Sequence, residues 1–246
     1  MHALPRMVLI FALGLWLMTS HLADPATAAE EEGGQESPTP PAGAVSPYKP
    51  PPLGAPRLRI GGGVRGVAGG DAPVVHVLAP QQIGLTVAEQ PTLYWHLDKE
   101  TPHVVEITLS EVGGVSPLAR VELAGPVAAG LHPFRLAAQG KRLALGKEYE
   151  WFVAVVLDQE QRSQDIIAGG GLQRVALPSG LPERLSGRGA KEAGAIYAGA
   201  GLWYDAIDAM VERTDKTPPL AELANQFQTI LQQEGINGVQ LTPLAN

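Results

Sequence analysis

Between residues 74 and 177 the chain is a series of short runs in which apolar and polar residues alternate or β-branched residues are dense. Gly, Pro or charged turn residues bound each run, and the runs are regularly spaced. Alternation with period two places successive side chains on opposite faces of a strand. The pattern predicts seven or eight strands, at 74–79, 83–87, 92–97, 104–112, 118–123, 131–136, 149–157 and 166–177, with a break in the last at Gly169-Gly170-Gly171.

Two aromatic patterns refine the fold class. Trp95 falls on an early predicted strand, and Tyr149 stands where a turn enters a late one, two residues before Trp151. The second pattern resembles the tyrosine corner of immunoglobulin and fibronectin-type domains. We therefore expect a mainly β chain with an immunoglobulin/fibronectin-like antiparallel β-sandwich over 57–178, in which Trp95, Tyr149 and Trp151 are structural residues.

After Pro178 the apolar period becomes that of a helix, so we expect a helical C-terminal segment over 179–246 that packs on the sandwich. This segment contains two predicted helices. The second begins with Thr217 as its N-terminal cap and Pro218 at its first position, and it ends at Gly235. The pair predicts a helical hairpin that turns at 215–219. The apolar face of the first helix comprises Ile196, Ala200, Trp203, Ile207 and Met210, and that of the second comprises Leu220, Leu223, Phe227, Ile230 and Leu231.

The N-terminus has the order of a secretory signal peptide: Arg6, a 12-residue apolar run at 7–18, and small residues at 26–29. The alternative is an uncleaved anchor, but a bilayer span needs about 20 residues. We expect cleavage after Ala28, no transmembrane span afterwards, and a periplasmic or secreted protein. A lead at 29–56, rich in Pro and acids, is expected to be disordered or polyproline-like.

Within this lead, Tyr48-Lys49-Pro50-Pro51-Pro52 is either a spacer or a ligand for an aromatic groove. We favour the spacer, which is the commoner role of such leads in exported proteins.

Composition excludes several kinds of chemistry. A net charge of -7 without a basic stripe argues against nucleic acid as a partner. The absence of cysteine excludes disulfides, thiolate metal sites and a cysteine nucleophile. No G-x-S-x-G or H-E-x-x-H sequence is present. We therefore expect no catalytic residue, no cofactor and no metal site, and predict that the protein is not an enzyme.

Four weaker patterns leave alternatives open. Gly61, Gly63 and Gly66 satisfy G-x-G-x-x-G, but the flanking residues do not give a strand and a helix, so Gly61, Gly62, Gly63 and Arg65 are expected to be structural. His96 and His103 could meet across a hairpin. The turn with Asp158, Glu160, Arg162 and Asp165 could hold calcium, although a salt-bridged turn fits better. Carboxylates from separate runs could also converge: Glu106, Glu111, Glu122 and Asp158.

Together the segments resemble the bacterial family called domain of unknown function 928, from Tyr48 to the C-terminus. The resemblance rests on these stretches: Tyr48–Pro52, Gly61–Gly66, Leu78-Ala79-Pro80 with Gly84-Leu85-Thr86, Pro91-Thr92 with Trp95, Tyr149-Glu150-Trp151, Asp158 with 162–165, 173–175, and 201–206. Val64 and Gly171 depart from the family's pattern, where threonine and an aromatic residue are expected. The resemblance implies an exported protein and supplies no catalytic residue.

The strongest recognition candidate is Trp203-Tyr204-Asp205, because two large aromatics and an acid in one helical turn are residue types of binding hot spots. The alternative, which we favour, is that Trp203 lies in the core and its two neighbours fix the docking of the helix. We expect a non-enzymatic binding or assembly module of the cell envelope with an unknown envelope protein as partner. The rival is a carbohydrate-binding module or glycan-active hydrolase, which needs an exposed Trp95, Trp151 or Trp203.

Overall fold

The structure is a computed structural model that describes residues 47–51, 60, 72–214, 221–242 and 244. Four predictions lie outside these residues: the signal peptide at 1–28, the glycine motif at Gly61, Gly62, Gly63 and Arg65, the hairpin turn at 215–219, and the helix start at Thr217 and Pro218. So does most of the lead at 29–56. Among the helices of the described part, none is long and apolar enough to cross a membrane.

The fold is mainly β, as predicted, and each predicted run contains a strand. Over the described residues the strands are β1 (Val75–Val77), β2 (Gly84–Thr86), β3 (Thr92–Leu97), β4 (Val104–Glu111), β5 (Ala119–Leu123), β6 (Gly130–Arg135), β7 (Glu148–Val156) and β8 (Ile166–Arg174). The observed bounds differ from the predicted ones by a few residues at most, apart from the trimmed end of β8.

The strands form two sheets, with the orders β1-β3-β6 and β2-β8-β7-β4-β5. Inward-pointing residues of both sheets form a shared core. Within the sheets, Trp95 is the register partner of Val77 and His132, and Trp151 is that of Leu109. One pairing differs from the predicted antiparallel arrangement. The β2 strand runs parallel to β8, because the short stretch after β1 passes to the other sheet and continues along its edge.

The predicted break in the last strand is wrong, since β8 runs continuously through Gly169-Gly170-Gly171 and pairs with β7 along this stretch. The glycines serve packing instead. A Cβ atom on Gly169 would approach the Phe152 ring to 2.3 Å, and one on Gly170 would approach the Ala79 Cβ to 2.3 Å. The strand therefore lacks side chains where neighbouring segments press against it.

In the described part of the chain, four α-helices follow the strands: α1 (Leu181–Leu185), α2 (Ala190–Gly199), α3 (Trp203–Thr214) and α4 (Ala221–Gln233). The single helix predicted through residues 196–210 is in fact two, α2 and α3. Gly201, with φ of +76°, ends the first and redirects the chain, because L side chains rarely adopt this conformation. The α2 helix lies close against α3, where Gly194 leaves room for the Met210 side chain.

The helices share a core with the strands. Buried residues of α2, α3 and α4 belong to the same apolar cluster as Trp95 and Trp151, and they include Ala198, Trp203, Ile207, Met210, Phe227 and Ile230. The α4 helix buries Leu223, Phe227, Ile230 and Leu231 on one face and is followed by Gly235 with φ of +70°. The start of α3 therefore contacts the strands, and only side chains outside this contact remain exposed to bind a partner.

Candidate functional site

The first turn of α3 is buried against the strands. Trp203 and Tyr204 are at most 2% exposed, and the Trp203 Nε1–H donates to the Leu78 carbonyl at 2.8 Å. The Tyr204 hydroxyl donates to the Gly171 carbonyl at 2.8 Å and accepts from Trp151 Nε1 at 3.0 Å. Burying each ring contributes roughly 4 to 6 kcal/mol as an upper estimate from its area. This turn is thus an internal joint, and neither ring presents a surface to a partner.

Two acids complete this joint. Asp205 Oδ2 accepts from the Val87 backbone N–H at 3.1 Å, and Asp208 accepts from the Tyr94 hydroxyl at 2.6 Å. Burial raises the pKa of Asp205 to about 6, although hydrogen bonds from Val87 and Thr86 partly oppose the shift. Burial also raises the pKa of Asp208. Both carboxyls therefore hold the helix on β2 and β3 while carrying a desolvation cost.

Tyr48 reaches the joint from the opposite side. Its ring is 2% exposed and meets the Trp203 ring edge-on, with centroids 4.9 Å apart. The Gln233 side chain accepts from the Tyr48 N–H at 3.0 Å and donates to the Tyr48 carbonyl at 2.6 Å, while the Lys49 N–H donates to the Ala198 carbonyl at 3.1 Å. The expectation of a disordered lead or a spacer is therefore wrong at 47–51. A buried ring and three hydrogen bonds hold these residues in a groove.

The other predicted structural aromatics lie inside the fold. The Tyr149 hydroxyl accepts from the Ala144 backbone N–H at 2.9 Å, five residues upstream. Trp95, Trp151 and Trp203 are all 0% exposed. Because stacking on a sugar needs an accessible ring face, none of the three forms a platform in this conformation. The carbohydrate alternative loses the observation on which it depended.

The histidines do not assemble a metal site in the described part of the chain. His96 lies opposite His76 across β1 and β3, with ring centroids 6.4 Å apart, and His132 stacks on Trp95 at 4.3 Å. Burial lowers the pKa values of His96 and His132. His96 therefore pairs with His76 across β1 and β3. The sequence analysis considered His103 as its partner and did not foresee His76.

Among the acids that could have converged, Glu106 and Glu122 face each other across β4 and β5, and basic residues pair with both. Arg162 lies 2.7 Å from Asp165 and 3.6 Å from Glu106, and Arg120 bonds both Glu106 and Glu122. Asp158 accepts from the Glu160 backbone N–H at 2.8 Å, which closes its turn locally. Glu111 pairs with Lys147 at 2.8 Å. The salt-bridged turn, rather than a calcium loop, describes this region.

Three loops at one end of the five-stranded sheet each carry an exposed aliphatic side chain. Val115 is fully exposed in the turn from β4 to β5, Leu145 is 59% exposed before β7, and Leu177 is 54% exposed after β8. The register brings these three loops to the same end, because Glu111 pairs with Tyr149 and Glu148 with Gln173. We call Val115, Leu145 and Leu177 the apical patch.

Charged pairs lie at the same end of the sheet as the apical patch. They are Glu111–Lys147, Glu89–Arg142 and Glu89–Arg174. An apolar centre with a polar rim is the usual anatomy of a protein interface. The sequence analysis missed this patch, because it depends on which strand ends meet. Single aliphatic residues in turns, such as Val115 between glycines and Ser116-Pro117, were the available signal.

Comparison with known proteins gives a family match. The family model described as Domain of Unknown Function (DUF928) matches residues 60–244. A search of curated proteins gives no match. Among solved structures, an engineered protein from a structural genomics consortium is similar over 43% of this chain, with 18% sequence identity and a TM-score of 0.28. The matched region spans 20% of that protein's length, and so weak a likeness supports no conclusion on fold or function.

Proposed function

The chain belongs to the Domain of Unknown Function (DUF928) family, and from this premise we propose that it is a non-enzymatic binding module of the cell envelope that contacts a protein partner through the apical patch. The observation that carries the proposal is the placement of Val115, Leu145 and Leu177. Three exposed aliphatic side chains stand at one end of the sheet, whereas the aromatic residues are buried.

The proposal includes an immunoglobulin-like sandwich. The orders β1-β3-β6 and β2-β8-β7-β4-β5 correspond to the two sheets of such domains when the first strand is split between them. The bond from the Ala144 N–H to Tyr149 is the contact that a tyrosine corner makes. Sandwiches of this kind present loops at both ends, and these loops commonly bind other proteins.

Export supports an envelope partner. The 7–18 apolar run after Arg6, with small residues at 26–29, is typical of a signal peptide, and the cysteine-free sequence lacks the residue needed for a lipid anchor at the cleavage site. The protein is therefore periplasmic or secreted in this proposal. The apical patch, with charged pairs at the same end of the sheet, fits a partner that offers an apolar surface bordered by charges.

The test is capture from an envelope extract by the immobilised chain. We expect wild-type protein to retain a specific partner, and the double variant Val115→Ser, Leu145→Ser to retain at least about tenfold less, since removing one apolar side chain from an interface centre costs about 1 kcal/mol or more. Ile167→Ser is the matched control, because Ile167 is 38% exposed but lies in β8 outside the patch. Equal capture by the double variant, or retention of glycans without any protein, would overturn the proposal.

A further inference from the structure

We propose that the groove between α2, α3 and α4 is a peptide-binding site for a tyrosine-anchored, proline-rich segment, and that the Pro47–Pro51 segment of a second copy of this chain can occupy it in place of the cis segment. Two copies of the chain would then be joined because the Pro47–Pro51 segment of one binds in the groove of the other. This inference does not depend on the apical patch, because the groove lies in the helical part of the chain.

The groove recognises its occupant by features that a peptide in trans would satisfy equally well. The Tyr48 ring is clamped edge-on by Trp203. The Gln233 amide bonds both the N–H and the carbonyl of Tyr48, as a neighbouring strand would. The Lys49 N–H donates to a carbonyl at the end of α2. These contacts use the Tyr48, Trp203 and Gln233 side chains and backbone atoms, so any copy of the segment makes the same set.

The groove is shaped for an extended chain. Gly201 carries no Cβ where the Lys49 carbonyl crosses it, since an atom there would lie 2.9 Å from that oxygen and 3.6 Å from Pro51 Cδ. A proline-rich segment enters such a site at low entropic cost, because it is extended before binding. The Tyr48 hydroxyl is buried without a hydrogen-bond partner among the described residues, so this docking leaves one polar atom unsatisfied.

Chain length allows the exchange. Eight residues, 52–59, separate Pro51 from Ile60, whose backbone pairs with Gly169 on β8. Extended, this connection spans up to roughly 30 Å. Exchange of an identical element creates the same contacts in two copies and is a low-cost route to a dimer. In dilute wild-type protein the cis segment is favoured, because a short tether gives it an effective concentration in the millimolar range.

Two full-length variants test this by complementation. Tyr48→Ala removes the anchor and leaves the groove, whereas Gln233→Lys leaves the segment and sets a cation against the Tyr48 N–H, at a position that is itself exposed. Each variant alone is expected to be monomeric by light scattering. Their equimolar mixture is expected to form a one-to-one complex, and an excess of a synthetic peptide of residues 45–53 is expected to dissociate it.

A mixture that stays monomeric, although both variants are folded by circular dichroism, overturns the proposal. Binding of the peptide to the Tyr48→Ala chain without association of the mixture also overturns it, and assigns the groove to a foreign peptide instead. If Tyr48→Ala does not fold alone, recovery of its far-ultraviolet circular dichroism on adding the peptide reports the same binding. No recovery would mean that the segment is a fixed part of the core.

Discussion

At the scale of single residues, the start of α3 places polar atoms at the centre of an apolar contact. The Tyr204 hydroxyl pairs with two buried groups, the Gly171 carbonyl and the Trp151 Nε1–H. A buried polar group that loses its partner costs about 1 to 3 kcal/mol, so these bonds fix one orientation of the helix on the strands. Trp203, Tyr204 and Asp205, whose residue types suggest a binding hot spot in the sequence, therefore fix how the helix packs on the strands.

Asp205 gives this joint a pH dependence. Its pKa is raised from 3.8 to about 6 in the fold, so the folded state binds a proton that the unfolded state releases between these values. The stability that Asp205 contributes is complete below pH 3.8 and is lost as pH rises through about 6. The shift corresponds to about 3 kcal/mol as an order of magnitude. The burial-raised pKa of Asp208 acts in the same direction.

The measurement is the free energy of unfolding in urea at pH 4 and pH 7 for the wild type and for Asp205→Asn. The variant cannot titrate at this position, so the wild type should lose stability relative to it as pH rises, by up to about 3 kcal/mol. Parallel dependences on pH in the two proteins would show that the carboxyl of Asp205 is not desolvated in the fold.

At the scale of elements, the turn between α2 and α3 depends on Gly201. Gly201→Ala would force an L side chain into φ of +76° and bring a Cβ to 2.9 Å from the Lys49 carbonyl. We expect the free energy of unfolding to fall by about 2 to 4 kcal/mol, because the backbone strain adds to the displacement of the Pro47–Pro51 segment. Thermal unfolding followed by circular dichroism measures it.

Gly199→Ala is the matched control, two residues away at the end of α2. A Cβ there would meet nothing within 4 Å, and Ala favours the helix by about 0.5 to 1 kcal/mol over Gly. The control should be neutral or slightly stabilised. Similar effects of both substitutions would contradict the role assigned to the turn.

The strands could be predicted from the sequence because period-two alternation is local. For example, the predicted and observed bounds of β3 agree, at 92–97. The continuity of β8 through Gly169-Gly170-Gly171 could not, because it depends on pairing with β7 and on the approach of Phe152 and Ala79. Likewise the residues from Ile196 to Met210 keep one helical period across the break at Gly201, so the pattern conceals the turn.

At the scale of the whole molecule, the residues at the start of α3 could be picked out from the sequence, but the distant residues that contact one another by folding could not. Trp203, Tyr204 and Asp205 stood out by residue type, whereas Tyr48 and Gln233 are 185 residues apart and meet by tertiary folding. The apical patch is also a product of register, since Val115, Leu145 and Leu177 come from three separate loops. Long-range contacts of this kind leave no periodic signal in one sequence.

The central claim is that the joint at Tyr48, Trp203 and Tyr204 makes the helices and strands one cooperative unit, so that recognition uses another surface. Equilibrium unfolding in urea tests it most directly, with far-ultraviolet circular dichroism reporting the helices and tryptophan fluorescence reporting Trp95 and Trp151 in the strands together with Trp203 in α3. The account predicts coincident transitions for the two probes. Loss of the helical signal at a lower urea concentration, with a separate later fluorescence transition from Trp95 and Trp151, would contradict it.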